Sequence, residues 1–243
     1  MRFVEKGARD VERKLRRLAS HGRAKAYARF FKLGPGEYGE GDKFLGVSVP
    51  EQRRLARQFG DLPLSDIQRL LRNPYHECRL TALFILVQKY ENADEKEQER
   101  IAALYLKNTK RVNNWDLVDA SASRILGAHL FPKRDRRVLD RLSRSTNLWE
   151  RRIAIVATHA YISRGDFSHT FSIARRYCVD RHDLIHKATG WMLREVGKRS
   201  RSSLSAFLDH EAPRMPRIML RYAIEQYPKT KRVIYLRAKS RIR

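Results

Sequence analysis

The sequence predicts an all-helical fold in which helix pairs stack into a C-shaped α-solenoid. Three observations carry this. Apolar residues recur at three- and four-residue spacing through nearly every segment. No stretch alternates with period two for long enough to form a strand. A short sequence unit also returns at about 36 residues, the spacing of helix-pair repeats.

Taken in order, Met1 to Arg17 is charged throughout, so no signal peptide is expected. Phe31 to Pro50 departs from the helical pattern. Gly34-Pro-Gly-Glu-Tyr-Gly-Glu-Gly41 reads as a loop, and Pro50-Glu51 as the first turn of the next helix. Such loops are often functional, the plainer alternative being a flexible linker. Its glycine spacing fits neither phosphate-loop pattern. Arg79 to Tyr90 is strongly apolar, and Asp119 to Leu130, Arg152 to Ile162 and Leu184 to Val196 carry helical spacing. Breakers separate them at Asn73-Pro74, Phe131-Pro132, Gly165-Asp166 and Tyr227-Pro228.

The repeat shows as His76-Glu77-Cys78-Arg79-Leu80, Trp149-Glu150-Arg151-Arg152-Ile153 and Leu184-Ile185-His186-Lys187-Ala188. This register pairs Arg79 with Arg152, 73 residues on, and Arg152 with Lys187, 35 residues on. A basic residue then opens the second helix of each pair, and stacking would line these residues along one concave surface.

The length of 243 residues admits one elongated domain or two compact ones; the continuous repeat pattern favours a single domain over 1–243. Apolar content of 42% supports a real core. With 52 Lys plus Arg against 27 Asp plus Glu, the net charge is +25, which points to a polyanionic partner. A membrane is the weaker choice, since the basic residues are dispersed and no run of about 18 apolar residues occurs. Two cysteines, Cys78 and Cys178, suit a reducing cytoplasm and give no disulfide framework.

Candidate chemistry centres on Trp115-Asp116-Leu117-Val118-Asp119. On a helix, Trp115 and Asp119 share a face. Asn113 or Asn114 would cap that helix, and Asp116 in its first turn would favour the helix dipole. Asp119 lies too far in for that; it is either a salt-bridge partner or a carboxylate that meets a developing cation. Trp149 and Trp191 are the other tryptophans. Each is a core residue or, beside basic residues, a face for sugars or bases; Gly190 next to Trp191 would leave that face open. His76 and Glu77 read as a helix-start cap. Cys178, His182 and His186 are spaced by four, but a fourth metal ligand is missing. No Ser or Cys nucleophile setting stands out, and no metal or cofactor is expected.

Together the residues resemble the AlkD family of bacterial DNA glycosylases, which are built on HEAT-like repeats. The resemblance covers nearly the whole chain. It runs from the loop Gly34 to Gly46 through Val49-Pro50-Glu51, Arg53-Arg54-Leu55, His76-Glu77 with Arg79, and Val112 to Asp119. It ends with Trp149 to Arg152 and Lys187 to Glu195. The Trp-Asp-x-Val-Asp and Gly-Trp-x-Leu-Arg-Glu elements are the specific ones. The family's catalytic aspartate falls on Asp119, its sugar-contacting tryptophans on Trp115 and Trp191, and its active-site arginine on Arg152 or the adjacent Arg151. Arg194 matches a DNA-contacting arginine. Arg79, Arg151, Lys187, the loop's Tyr38, and Ser48 after the Leu-Gly step complete the expected DNA contacts; Ser48-Val49 replaces larger polar residues of the family.

The resemblance implies a monofunctional glycosylase that hydrolyses the N-glycosidic bond of purines alkylated at N3 or N7 in duplex DNA, without flipping the base. It implies a monomer acting in base excision repair. An alkylated purine is already cationic and leaves as a neutral base, so positive charge passes to the deoxyribose. Asp119 would stabilise that charge and orient water. The indole faces would hold the sugar and add about 0.5–2 kcal/mol each. Two rivals are a non-catalytic DNA-binding relative and a HEAT-type scaffold for an acidic partner.

Overall fold

The computed structural model describes residues 7–133 and 137–237. Among the described residues there is no strand; the one ladder contact is a parallel bridge between Lys43 and Tyr75. The chain forms two compact units, 1–125 and 126–243.

In the first unit α1 (Ala8–Arg17), α2 (His21–Phe30), α3 (Val49–Gln58), α4 (Leu64–Leu71), α5 (His76–Asn92), α6 (Glu95–Lys107) and α7 (Trp115–Ser121) follow in order. Helix α5 is central, with α1, α3, α4, α6 and α7 all packed on it. Its sequence explains this: a helix apolar all round has no face to give to water, and His76 to Val87 is buried without a break. Each of Leu80, Leu83, Ile85 and Leu86, removed from water, contributes about 1.5–3 kcal/mol. The predicted cap of α7 is Asn114, whose Oδ1 accepts from the Trp115 N–H at 2.8 Å.

The second unit holds α8 (Ala128–Lys133), α9 (Arg137–Ser143), α10 (Leu148–Ala157), α11 (His159–Ile162), α12 (Ser168–Tyr177), α13 (Asp183–Arg199), α14 (Arg201–Glu211), α15 (Arg217–Ala223) and α16 (Lys229–Arg237). Helix α13 is its centre, contacted by α10, α11, α12, α14 and α15. Gly190 is where α15 comes closest: a Cβ there would collide with the Met219 carbonyl oxygen and the Tyr222 Cβ. Gly190 thus serves helix packing rather than opening a face of Trp191.

Two boundaries differ from the sequence reading. The segment 119–130 is not one regular helix: a wide π turn, Ser123–Gly127, follows α7. Pro132 does not break the chain before itself, because it stands inside α8. The turns at Asn73-Pro74, Gly165-Asp166 and Tyr227-Pro228 are as predicted, with Gly165 at φ +82.

The repeat is present in a corrected register. Asn73 Oδ1 accepts from Tyr75 N at 3.0 Å, Ser145 Oγ from Asn147 N at 3.1 Å, and Asp180 Oδ1 from His182 N at 2.9 Å. Each turn is then closed from the helix it starts. Arg79 donates to the Asn73 carbonyl at 3.1 Å, Arg151 to that of Ser145 at 3.0 Å, and His186 to that of Asp180 at 2.7 Å. Arg79 therefore corresponds to Arg151 and His186, and the spacing that paired it with Arg152 was one residue too long. Arg152 and Lys187 take the next position, the fifth residue of their helices, where α7 carries Asp119.

Candidate functional site

The first turn of α5 organises the glycine-rich segment. Glu77, buried, takes the N–H groups of Leu45, Gly46 and Val47 at 2.9, 2.7 and 3.2 Å. Successive amides converging on one carboxylate form an anion-binding nest, here filled from within the protein. Glu77 is thus the loop's anchor and not the helix cap expected from sequence. Gly46, at φ +80, lies so close to α2 that a Cβ would strike the Ser20 carbonyl oxygen. Only glycine permits both the conformation and the approach. Beyond it Ser48 caps α3 in a box with Glu51, its hydroxyl 2.6 Å from the Glu51 carboxylate. That capping bond commits the Ser48 side chain, predicted to face DNA, to the start of α3. Tyr38 donates to the Phe30 carbonyl at 3.4 Å.

Earlier in the loop, Asp42 is buried between two partners. Arg79 donates to its Oδ1 at 2.7 Å, and His76 Nδ1 lies 2.8 Å from its Oδ2. The other ring nitrogen of His76, Nε2, is 2.8 Å from Asp116 Oδ2. Burial opposes a charge on His76, but Asp116 and then Asp42 outweigh it and push the imidazole up to about 9. Burial likewise opposes the Asp42 carboxylate, and the bonds from His76 and Arg79 hold it below its usual range. Asp116 Oδ1 also accepts from Leu117 N at 2.9 Å. Its role is therefore larger than the helix-dipole one inferred from sequence.

A cluster of aromatic rings lies beside this network, and in it Phe31 also meets His76 directly at 5.1 Å. His76 stacks on Phe44 (4.5 Å between centroids), Phe44 on Phe31 (4.9 Å), and Phe31 on Trp115 (5.3 Å), all within about 21° of parallel. Phe30, 63% exposed, meets the Trp115 ring edge-on at 5.8 Å. At the edge of the cluster is thus a half-buried indole with an exposed aromatic beside it. Asp119 stands one turn along α7 from Trp115, also half-buried. Sequence reasoning missed Asp42, Phe30 and the aromatic cluster. The crowding of Tyr27, Phe30, Phe31 and Phe44 around the glycine-rich segment was the available signal.

In the second unit, Trp191 is half-buried on α13 and donates from Nε1 to Glu195 at 3.1 Å; Lys198 holds the same carboxylate at 2.8 Å. Trp149 is a core residue, 7% exposed. Arg152 is buried, with Nη1 donating to the Leu184 carbonyl at 2.7 Å. Arg151 pairs with Asp180 at 2.8 Å and donates to two carbonyls of the preceding turn. Arg79 does the equivalent in the first unit and is buried. Both guanidiniums are thus engaged in holding turns. Lys187 is half-buried, and Arg194 pairs with Glu225. Cys178, His182 and His186 have separate tasks: the thiol bonds the Ala174 carbonyl, His182 caps α13, and His186 closes its turn. No helix among the described residues is long and apolar enough to cross a membrane.

Comparison with known proteins adds a family. The model of a family described as DNA alkylation repair enzyme matches residues 11–227. A solved structure, a predicted DNA alkylation repair enzyme from Enterococcus faecalis, superposes with a TM-score of 0.66. The match covers 87% of this chain and 97% of that one at 16% identity, a likeness of fold. No curated protein matches.

Proposed function

The chain belongs to the DNA alkylation repair enzyme family, and on that premise we propose that it is a monofunctional glycosylase. Its substrate is duplex DNA carrying cationic purines alkylated at N3 or N7, and it hydrolyses their N-glycosidic bond without flipping the base. The observation that carries this reading is Asp119 one helical turn from Trp115 on α7, both half-buried, in a chain of net charge +25. A carboxylate repels phosphate. On a DNA-binding surface it gains a use where positive charge develops, and the deoxyribose of a departing alkylpurine is such a place.

Asp119 stabilises the oxocarbenium-like sugar and orients the attacking water. Trp115 offers its indole to the sugar, backed by Phe31. In the second unit Trp191 offers an indole to DNA, with Glu195 fixing its ring, and Arg152 contributes a DNA-directed charge. Arg152 is preferred to Arg151 because it takes the helix position that carries Asp119 in α7 and Lys187 in α13. Lys187, Arg194 and Tyr38 contribute contacts to the duplex; Arg79, Arg151 and Ser48 act through the loop and turns they hold. On this reading 1–243 is a single domain, a monomer working in the cytoplasm without a cofactor.

The test is incubation of the protein with methylated duplex DNA and chromatographic measurement of free 7-methylguanine and 3-methyladenine. Release that Asp119→Asn abolishes is the expected result. Binding of the duplex with no release by the intact protein would reduce the chain to a DNA-binding module.

A further inference from the structure

We infer that His76 is a positioning residue: clamped between Asp42 and Asp116, it locks the glycine-rich loop to helix α7 and so holds Trp115 and Asp119 in place. The inference rests on the glycosylase reading for its consequence in catalysis, and on geometry alone for the latch.

The geometry is doubly determined. Both ring nitrogens of His76 face carboxylate oxygens at 2.8 Å. A neutral imidazole has one N–H and one lone pair, so it can satisfy only one of two ionised carboxylates; the cation donates to both. The latch therefore exists as drawn only with His76 charged. The surrounding groups agree. Asp42 faces it from the loop and Asp116 from α7, while Arg79, on its own helix, neutralises Asp42 from the far side. Glu77, the remaining carboxylate of that turn, is turned away to the Leu45–Val47 amides. Phe31 and Phe44 cover the ring. Two cations and two anions thus balance, and of the four Asp116 is the most exposed, its side chain at 16%.

The same imidazole reaches Trp115 by two routes. One is covalent, because Asp116 is the next residue. The other is Phe31, which meets the imidazole at 5.1 Å and stacks on Trp115 at 5.3 Å. Removing the proton would set a lone pair against one carboxylate, and Asp116, the less buried partner, is the one free to move. The first turn of α7 would then lose its tie to α5. His76 titrates near 9, so the loss falls on the alkaline side.

The experiment follows Trp115 emission from about pH 7 to 10.5 in a protein whose other tryptophans are replaced (Trp149→Phe, Trp191→Phe). The expected trace has a transition near 9. His76→Gln should abolish it. Asp116→Asn should move it to lower pH, which keeps the test intact if His76→Gln does not fold. With otherwise native protein, the single-turnover rate of 7-methylguanine release should fall over the same range, and His76→Gln should lower it about tenfold or more at neutral pH while duplex affinity holds within about twofold. A flat trace, or one that His76→Gln leaves in place, overturns the latch. A native rate in His76→Gln overturns its role in catalysis. If the intact protein releases no methylated base, the glycosylase reading fails, and the emission titration still decides the latch.

Discussion

Arg79 and Arg151 occupy equivalent places in different repeats. Each reaches back to the carbonyls six and five residues before it and pairs with an aspartate: Asp42 for Arg79, Asp180 for Arg151. Both read from sequence as phosphate contacts, and in the fold both close the turn that starts a helix. The two readings predict different phenotypes. Arg79→Ala leaves Asp42 buried with one cation fewer, at a cost of about 3 kcal/mol; Arg151→Ala, in a more exposed pair, costs about 1–2 kcal/mol. Urea denaturation measures both. A phosphate contact would instead lower the slope of log affinity against log salt by about one. The turn-closing assignment fails if that slope changes while stability does not.

The sequence disclosed what local chemistry dictates. An apolar run from Arg79 to Tyr90 can only be a buried helix, and α5 is one. Asn114 before Trp115 is a cap wherever that helix begins. What it hid depends on residues far apart in the chain: His76 meets Asp42 and Asp116 across 34 and 40 positions, and neither spacing is a local motif. The repeat register was hidden for another reason. Asn73, Ser145 and Asp180 share an acceptor, and Arg79, Arg151 and His186 share a donor, so the conserved quantity is a hydrogen bond and not a letter. Matching letters favoured Arg152 and misplaced the copy by one residue.

Asp116 and Asp119 stand on one short helix and separate by role. Asp119→Asn keeps shape and removes charge, so excision should fall about 10²-fold or more with the fold and duplex affinity retained. Asp116→Asn breaks a contact to a buried imidazolium and should cost about 1–3 kcal/mol, more than a helix-dipole role would give. Thermal melts and single-turnover excision, run on both variants, decide this. If Asp119→Asn loses stability and keeps its rate, Asp119 is a structural ion-pair partner.

Stability should decline on the alkaline side of neutrality. The folded protein raises His76 from 6.5 to about 9. A raised value means that the folded state binds the proton more tightly. The contribution is therefore complete below about 6.5 and is lost as pH rises through about 9, reaching about 3 kcal/mol at most. Asp42 shifts the other way, so its contribution is lost only when pH falls through its depressed value. Unfolding free energies measured from pH 6 to 10 should show the alkaline fall in the native protein and a smaller one in His76→Gln. An identical profile in the two would remove His76 as the cause.

Selectivity follows from what the assigned groups can do to a leaving base. Asp119 acts as an anion, Trp115 and Trp191 offer neutral π faces, and Arg152 remains a cation, so none of them protonates a purine or pyrimidine in flight. Departure must then depend on charge that the lesion already carries. 7-Methylguanine and 3-methyladenine are cationic in DNA and leave neutral, and they should be released. Uracil, hypoxanthine and ethenoadenine leave as anions unless an acid assists, and they should stay attached. Single-turnover rates on defined duplexes, each with one lesion in the same sequence context, compare the two groups directly. A uracil rate within about tenfold of the 7-methylguanine rate would mean that an acid catalyst operates here, since Asp119 stabilises the sugar cation and does nothing for the anion that a neutral base leaves as.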